Sequence, residues 1–364
     1  MSNMANISNK SIDFEEILKE KRQIVWKEIQ KYLTPPSFAG NLAVSENYFD
    51  LLNFHWQMIK DYPERLGKYL RPALVLLTAQ ALDFPEKKAL KTAAAMQISE
   101  DWILIHDDFE DNSLERRGKP ALHQLYGNEL SVNAGDALHV IMWKLLWDNR
   151  KIIGEEKAAL IAEEFYQMLA RTIFGQSVEI KWTKEGREDL SDEDIFFIFD
   201  GKTSYYTIAG PMRLGAILGE ADKDFLEDIY EFGQNLGRCF QIIDDLLDLT
   251  SDFKGLKKQK GNDIYEGKRT LMLMHLLKVL DQNSAKNKLK KILKKPREKK
   301  TEKEVEWVID KMKNCGSLDY SRKIAENFAI KSLEIFEKKL SPFLKEPARS
   351  QLKAGINFIL KREY

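Results

Sequence analysis

Residues 100–118 read EDWILIHDDFEDNSLERRG. Taken as a helix, Asp107 and Asp111 stand four residues apart and Asp108 and Asp111 three apart, which predicts all three carboxylates on one face. Acids occur at 101, 107, 108, 110, 111 and 115, with no Lys or Arg between Asp101 and Glu115. Like charges at this spacing each cost about 0.2–0.5 kcal/mol, so something elsewhere must offset them. The same figure recurs once, in CFQIIDDLLDLTSD (239–252), where Asp244, Asp245 and Asp248 repeat the spacing. Ile242, Ile243, Leu246, Leu247 and Leu249 make that helix mostly apolar, and unpaired carboxylates buried there are costly. Two such clusters point to a shared divalent cation site. Carboxylate oxygens suit hard ions, and Mg²⁺ takes one or two carboxylates per ion and its other ligands from water and substrate phosphates.

Outward from these stretches the pattern is helical. Phe14, Ile17, Leu18, Ile24, Val25 and Ile29 form a stripe that ends near Pro35 and Pro36, and a second helix is predicted over 46–59. In ERLGKYLRPALVLLTAQAL (64–82), Pro72 fits the first turn of an apolar helix, which places Lys68 and Arg71 at an entrance that favours anions. Helices are expected from Pro85 through the first cluster, then over 130–147, 155–182, 192–218 and 222–249, after a break at NSLERRGKP (112–120). Leu271–Leu280, Val305–Met312, Ile324–Leu340 and Leu352–Leu360 continue the theme, and no segment alternates as a strand does. The fold class is therefore all-α, with residues 1–10 read as a disordered N-terminus and 11–364 as one domain. The Lys-rich run Lys286–Lys303 carries Leu289, Ile292 and Leu293 at helical spacing, so it reads as the solvated face of a surface helix.

The totals exclude several classes. Basic and acidic residues balance at 57 each, which argues against nucleic acid as a partner. No apolar run reaches membrane-span length, although an internal pocket can still take a lipid-like substrate. Cys239 and Cys315 are too few for a disulfide framework, which fits a reducing, cytoplasmic setting.

The stretch LIHDDFEDNSLERRGKPALH (104–123) resembles the first aspartate-rich motif, with its trailing Arg-Arg-Gly, of the trans-isoprenyl diphosphate synthases, the polyprenyl synthetase family; FQIIDDLLD (240–248) resembles the second. The likeness extends from about Gly67 to Lys268. It implies a single large helical bundle of the isoprenoid synthase type with a central active-site cavity, acting as a homodimer. By position, Asp107, Asp108, Asp111, Asp244, Asp245 and Asp248 would flank about three Mg²⁺ ions on the diphosphate of an allylic substrate. Arg116, Lys202 and Lys258 would contact that diphosphate, with Lys268 near it at the rim. Lys68, Arg71 and Arg117 would hold isopentenyl diphosphate, and Thr203 and Gln241 would lie by the reacting carbons. Three departures stand out. Leu66-Gly67-Lys68 replaces Gly-Gly-Lys, Lys257 replaces the glycine before Lys258, and Glu100 replaces the His or Gln expected seven residues before Asp107. A carboxylate beside a diphosphate is unfavourable unless protonated or turned to a cation, so Glu100 is left out of the expected site.

The implied reaction lengthens an allylic diphosphate by one five-carbon unit of isopentenyl diphosphate. Residues four and five before Asp107, Ile103 and Trp102, lie about 6–7 Å along the same helix, where the growing tail would run. Trp102 is large enough to block that shaft, with Ser99 the floor if Trp102 points away. A short product is expected, geranylgeranyl diphosphate in preference to farnesyl diphosphate, because Ile103 is not aromatic. His106 and His123 are assigned no metal role, and Tyr205 and Tyr206 are read as lining or supporting the pocket. The competing readings are a class I terpene cyclase, which has no use for Lys68, Arg71 and Arg117, and a non-catalytic regulatory subunit of a prenyl synthase, which usually loses one acidic cluster.

Overall fold

The computed structural model of the chain describes residues 12–35, 48–250, 260–280 and 284–360. Asp13 accepts the backbone N–H groups of Glu15 and Glu16 and so starts α1 (Phe14–Gln30), whose expected apolar stripe is buried except for the half-buried Ile24. The second helix, α2 (Phe49–Glu64), outlasts the predicted end at 59 because Pro63 falls in its last turn, where it removes only one helical bond. Then come α3 (Leu70–Ala81), α4 (Glu86–Glu110), α5 (Leu122–Tyr126), α6 (Asn128–Ile153) and α7 (Glu155–Glu185). The segment predicted as one helix over 192–218 is α8 (Asp192–Phe199), a widened π-helical stretch (Asp200–Ala209) and α9 (Gly210–Leu218) in unbroken succession. The second acidic cluster lies on α10 (Lys223–Thr250). The remainder is α11 (Asn262–Glu266), α12 (Leu271–Val279), α13 (Ser284–Leu293), α14 (Glu302–Asn314), α15 (Ser317–Ile335) and α16 (Ala348–Leu360). The Lys-rich run thus divides at the end of α13, and Lys300 beyond it is buried, its Nζ donating to the Tyr265 carbonyl at 2.8 Å.

The all-α expectation needs one amendment. Glu115–Arg116 and Lys119–Pro120 pair as a two-residue antiparallel ladder closed by Arg117 and Gly118, both at positive φ (+52° and +75°). A two-residue turn of this hand favours glycine, which gives the Arg-Arg-Gly sequence a conformational reason.

Helix α4 packs along α6 and beside α3, while α10 packs against the π-helical stretch and α15. Two glycines permit close approaches beside the cavity. A Cβ on Gly175 of α7 would lie 2.7 Å from the Lys202 nitrogen, and one on Gly237 of α10 would lie 2.3 Å from the Ser204 Cα. Both helices therefore press directly on the stretch that carries Lys202 and Thr203. The apolar core falls into three clusters, around α4 and α6, around α10 and α12–α15, and around α1, α3 and α16. They enclose a cavity of about 2400 Å³, lined by residues from both acidic clusters. Among the described residues, no helix is long and apolar enough to cross a membrane.

Candidate active site

The last turn of α4 presents Asp107 to the cavity, with Asp111 beside it as the C-terminal cap. Lys202 Nζ lies 3.3 Å from Asp107 Oδ1, Gln176 Nε2 donates to the same oxygen at 3.2 Å, and Arg116 Nη2 lies 3.5 Å from Oδ2. Burial by itself would raise the Asp107 pKa, but Lys202, Lys268 and Arg116 outweigh it and hold the carboxyl below the usual range. Lys268 Nζ sits 2.8 Å from Asp111 Oδ2 and 2.9 Å from Glu266 Oε2. The repulsion expected from the sequence is thus offset at Asp107 by cations brought from the hairpin, the π-helical stretch and the turn after α11, whereas burial, with Asp107 and Glu266, pushes Asp111 up to about 7 against the pull of Lys268.

Asp108 corrects the expectation of one shared face. It is fully buried, does not line the cavity, and accepts hydrogen bonds from the Tyr62 hydroxyl (2.6 Å) and from Arg116 Nε (2.9 and 3.0 Å). Asp108 stands about 100° round the helix from Asp107, on the side where Tyr62 of α2 and Arg116 of the hairpin supply its donors. Its role in this geometry is to hold Arg116 at the cavity wall.

On α10, Asp244 is exposed while Asp245 is buried, and these two and Asp248 line the cavity. Thr203 Oγ1 donates to Gln241 Oε1 and Gln241 Nε2 donates to Asp245 Oδ1, both at 2.7 Å. Asp248 accepts the backbone N–H of Asp263 at 3.1 Å. Burial pushes Asp245 up to about 8; the Gln241 hydrogen bond opposes this, and neighbouring Asp244 and Glu179 add to it. Lys258, and Lys257 before it, lie outside the described residues.

Among the described residues, no three acidic, histidine or cysteine side chains converge closely enough to cage a metal alone. The residues nevertheless fit a hard divalent ion, because the ligand types facing the cavity from the two clusters are carboxylate oxygens. A shared ion completed by water and phosphate needs only one or two of them.

Sequence reasoning missed Gln176 and Glu179. Glu179 Oε2 lies 2.7 Å from Lys202 Nζ, and Gln176 Nε2 also reaches Glu110 at 2.8 Å. A signal was present, since both positions continue the buried stripe Ile161, Phe165, Met168 and Thr172 of α7 at helical spacing. Two polar residues on an otherwise apolar stripe mark a site or a network.

Lys68, Arg71, Glu100 and Arg117 line the same cavity. Arg117 donates to Asp101 Oδ1 at 2.9 Å and to the Tyr62 carbonyl at 3.0 Å. Arg71 Nη2 donates to Thr207 Oγ1 at 2.9 Å, and its guanidinium stands 4.8 Å over the Tyr206 ring. Glu100, omitted from the expected site, lies between the two arginines, 3.2 Å from Arg71 Nη1 and 3.6 Å from Arg117 Nη2. Burial pushes the fully enclosed Asp101 up to about 6 against the opposing pull of Arg117. Adjacent arginines of one hairpin thereby serve carboxylates two helical turns apart on α4, Arg116 at Asp108 and Arg117 at Asp101.

Trp102 and Ile103 line the wall between these groups. The Trp102 ring stacks on His139 of α6, centroids 4.1 Å apart. Ser99 is excluded as a floor, because it is fully buried, hydrogen-bonded to the Tyr206 hydroxyl at 2.9 Å and absent from the cavity lining. Tyr206 lines the cavity, while Tyr205 supports it from behind, donating to Glu164 at 2.6 Å. His106 Nε2 lies 3.3 Å from the Val132 carbonyl, and the buried His123 sits beside Gln124.

A family model described as polyprenyl synthetase matches residues 54–312. The chain is 30% identical over 299 residues to the geranylgeranyl diphosphate synthase of Methanosarcina mazei, a match covering 82% of this chain and 86% of that protein. It is 28% identical over 314 residues to the geranylfarnesyl diphosphate synthase of Natronomonas pharaonis, covering 82% and 87%. In fold it is similar to the geranylgeranyl pyrophosphate synthase of Corynebacterium glutamicum, solved with isoprenyl diphosphate and magnesium. The TM-score is 0.83 at 22% identity, over 97% of this chain and 100% of that one.

Proposed function

The chain belongs to the polyprenyl synthetase family, and from that premise we propose that it is a short-chain prenyltransferase joining isopentenyl diphosphate head-to-tail to an allylic diphosphate, with geranylgeranyl diphosphate as product. The observation that carries this reading is one cavity lined by two carboxylate clusters and, apart from them, by a second set of cations, Lys68, Arg71 and Arg117. A reaction of two diphosphates needs both. A cyclase acting on one substrate leaves the second set without a purpose.

Asp107, Asp111, Asp244, Asp245 and Asp248 would hold Mg²⁺, the hard divalent ion their oxygens suit, and Asp108 would anchor Arg116. Bound there, the metal supplies charge neutralisation for the leaving diphosphate. Lys202, Arg116 and Lys268 add fixed positive charge at the same place, so the allylic C–O bond breaks with its electron pair leaving on oxygen. The double bond of isopentenyl diphosphate, oriented by the second set, attacks the allylic carbon. A proton is then lost to the departed diphosphate, which leaves no role for a protein nucleophile. Thr203 and Gln241, linked to each other and to Asp245, would stand near the reacting carbons.

Product length follows from the wall. With Ser99 sealed behind Tyr206, Trp102 is the bulky group one turn below the carboxylates. The homodimer reading is supported by Val140, Trp143 and Trp147 of α6 and Tyr166, Ile173 and Phe174 of α7, large apolar side chains left exposed on adjacent helices. We read residues 11–364 as one domain working in the cytoplasm.

The test is elongation by purified protein with Mg²⁺, isopentenyl diphosphate and each allylic primer, alongside Trp102→Ala. The expected result is a twenty-carbon product from the parent chain and longer products from the variant. Unchanged length in Trp102→Ala moves the floor elsewhere, and no turnover with any primer sinks the reading in favour of a non-catalytic subunit.

A further inference from the structure

Glu100 puts a negative charge where the prenyltransferase reading seats the diphosphate of isopentenyl diphosphate. Its carboxylate lines the cavity between Arg71 and Arg117, with a side chain 14% exposed. The two contacts, 3.2 and 3.6 Å, differ in kind from the Arg117–Asp101 bond beside them. Neither is an aligned hydrogen bond, and Glu100 Oε2, though enclosed, has no hydrogen-bond partner. Asp101, one residue on, is locked to Arg117 by a hydrogen bond of 2.9 Å and is the permanent counter-ion of that guanidinium.

Neither arginine depends on Glu100 for its place. Arg117 is also fixed by the Tyr62 carbonyl, and Arg71 by Thr207 and by the face of Tyr206. Removing Glu100 would leave both guanidiniums where they are, their charge available to another anion.

We propose that Glu100 is a displaceable counter-ion occupying the acceptor's diphosphate seat, so that isopentenyl diphosphate binds by expelling it from between Arg71 and Arg117. A diphosphate carries more charge and more acceptor oxygens than one loosely held carboxylate and takes the seat. A singly charged anion gains too little to do so. Glu100 thereby lowers affinity for the acceptor and sharpens selection for a polyanion.

This inference rests on the prenyltransferase reading and is tested separately from it. Binding of isopentenyl diphosphate to the full chain without allylic substrate is measured by calorimetry for the parent, Glu100→Gln and Glu100→Ala, with thermal unfolding as a check on folding. Both variants are expected to bind about tenfold more tightly, the effect of removing one like charge beside a bound anion. The steady-state KM for isopentenyl diphosphate should fall in step, while the KM for the allylic substrate does not move. Inorganic phosphate, a weak competitor in the parent, should gain potency in Glu100→Gln. Unchanged or weaker binding in both variants overturns the proposal and makes Glu100 a holder of the arginines. A parent chain that neither binds nor consumes isopentenyl diphosphate overturns the prenyltransferase reading instead.

Discussion

The clusters on α4 and α10 share one spacing and differ in nearly everything that surrounds it. On α4, Asp107 meets Lys202 and Arg116, Asp108 is enclosed by Arg116 and Tyr62, and Asp111 meets Lys268. On α10, the buried Asp245 takes its hydrogen bond from Gln241, a neutral amide, and its pKa stands at about 8, while Asp107 is held below the ordinary range. The difference comes from what surrounds each cluster, since the hairpin and the π-helical stretch deliver their cations to α4. A repeated motif therefore does not imply a repeated electrostatic state. Here Asp107 is held by fixed protein charge, while Asp245 on α10, and Asp111 on α4 at about 7, are left to a proton or a bound ion.

The most severe way to break this contrast is Arg116→Ala. It strands Asp108 as a buried carboxylate with only Tyr62 as donor, and losing one partner of a buried pair costs about 3–5 kcal/mol. Urea unfolding should register most of that, whereas Gln241→Leu, which removes a neutral donor from Asp245, should cost about 1 kcal/mol. Equal losses would mean that the two clusters are held alike. A smaller effect in free energy is expected on catalysis from Lys202→Met. It leaves Asp107 and Glu179 facing each other and should lower kcat about a hundredfold, as the loss of one preorganised charge does. A change confined to KM would reassign Lys202 to ground-state binding.

The contrast also marks how far the sequence could be read. Helices whose apolar residues recur every three or four positions were legible as helices, though α15 starts seven residues before the expected Ile324 and α6 ends six residues beyond 147. The two carboxylate stretches and the cations at the start of α3 were legible as a site because charge on a buried pattern needs a reason. Asp108 was misplaced because its donors, Tyr62 of α2 and Arg116 of the hairpin, come from other elements; the same spacing on α10 leaves all three carboxylates lining the cavity. The π-helical stretch was not legible because the apolar spacing of 192–218 reads as one continuous helix; the close approach of Gly175 and Gly237 to Lys202 and Ser204 appears only in three dimensions. Gln176 and Glu179 were legible in principle as polar breaks in the α7 stripe. Glu100 registered only as a departure from a pattern, and its meaning required Arg71 and Arg117 in space.

The gentlest probe uses protons. In the metal-free fold Asp245 keeps its proton up to about pH 8, whereas in the unfolded chain a carboxyl releases it near the ordinary value of 3.8. Between those limits the native state binds more protons than the unfolded one, so this residue's contribution to stability is full below about pH 4 and is lost as pH rises toward 8. The slope from one such group is at most about 1.4 kcal/mol per pH unit. Unfolding in the presence of a chelator should therefore become easier across that range, and Asp245→Asn should lessen the slope by this group's share, leaving that of the raised carboxyls Asp101, Asp111 and Asp263. Magnesium should flatten it too, because an ion replaces the proton as the partner of the carboxylate, and proton release on adding Mg²⁺ near pH 7 should fall in Asp245→Asn. If Asp107→Asn lessened the slope and Asp245→Asn did not, Asp107 would be the carboxyl that holds the proton and the contrast would be inverted.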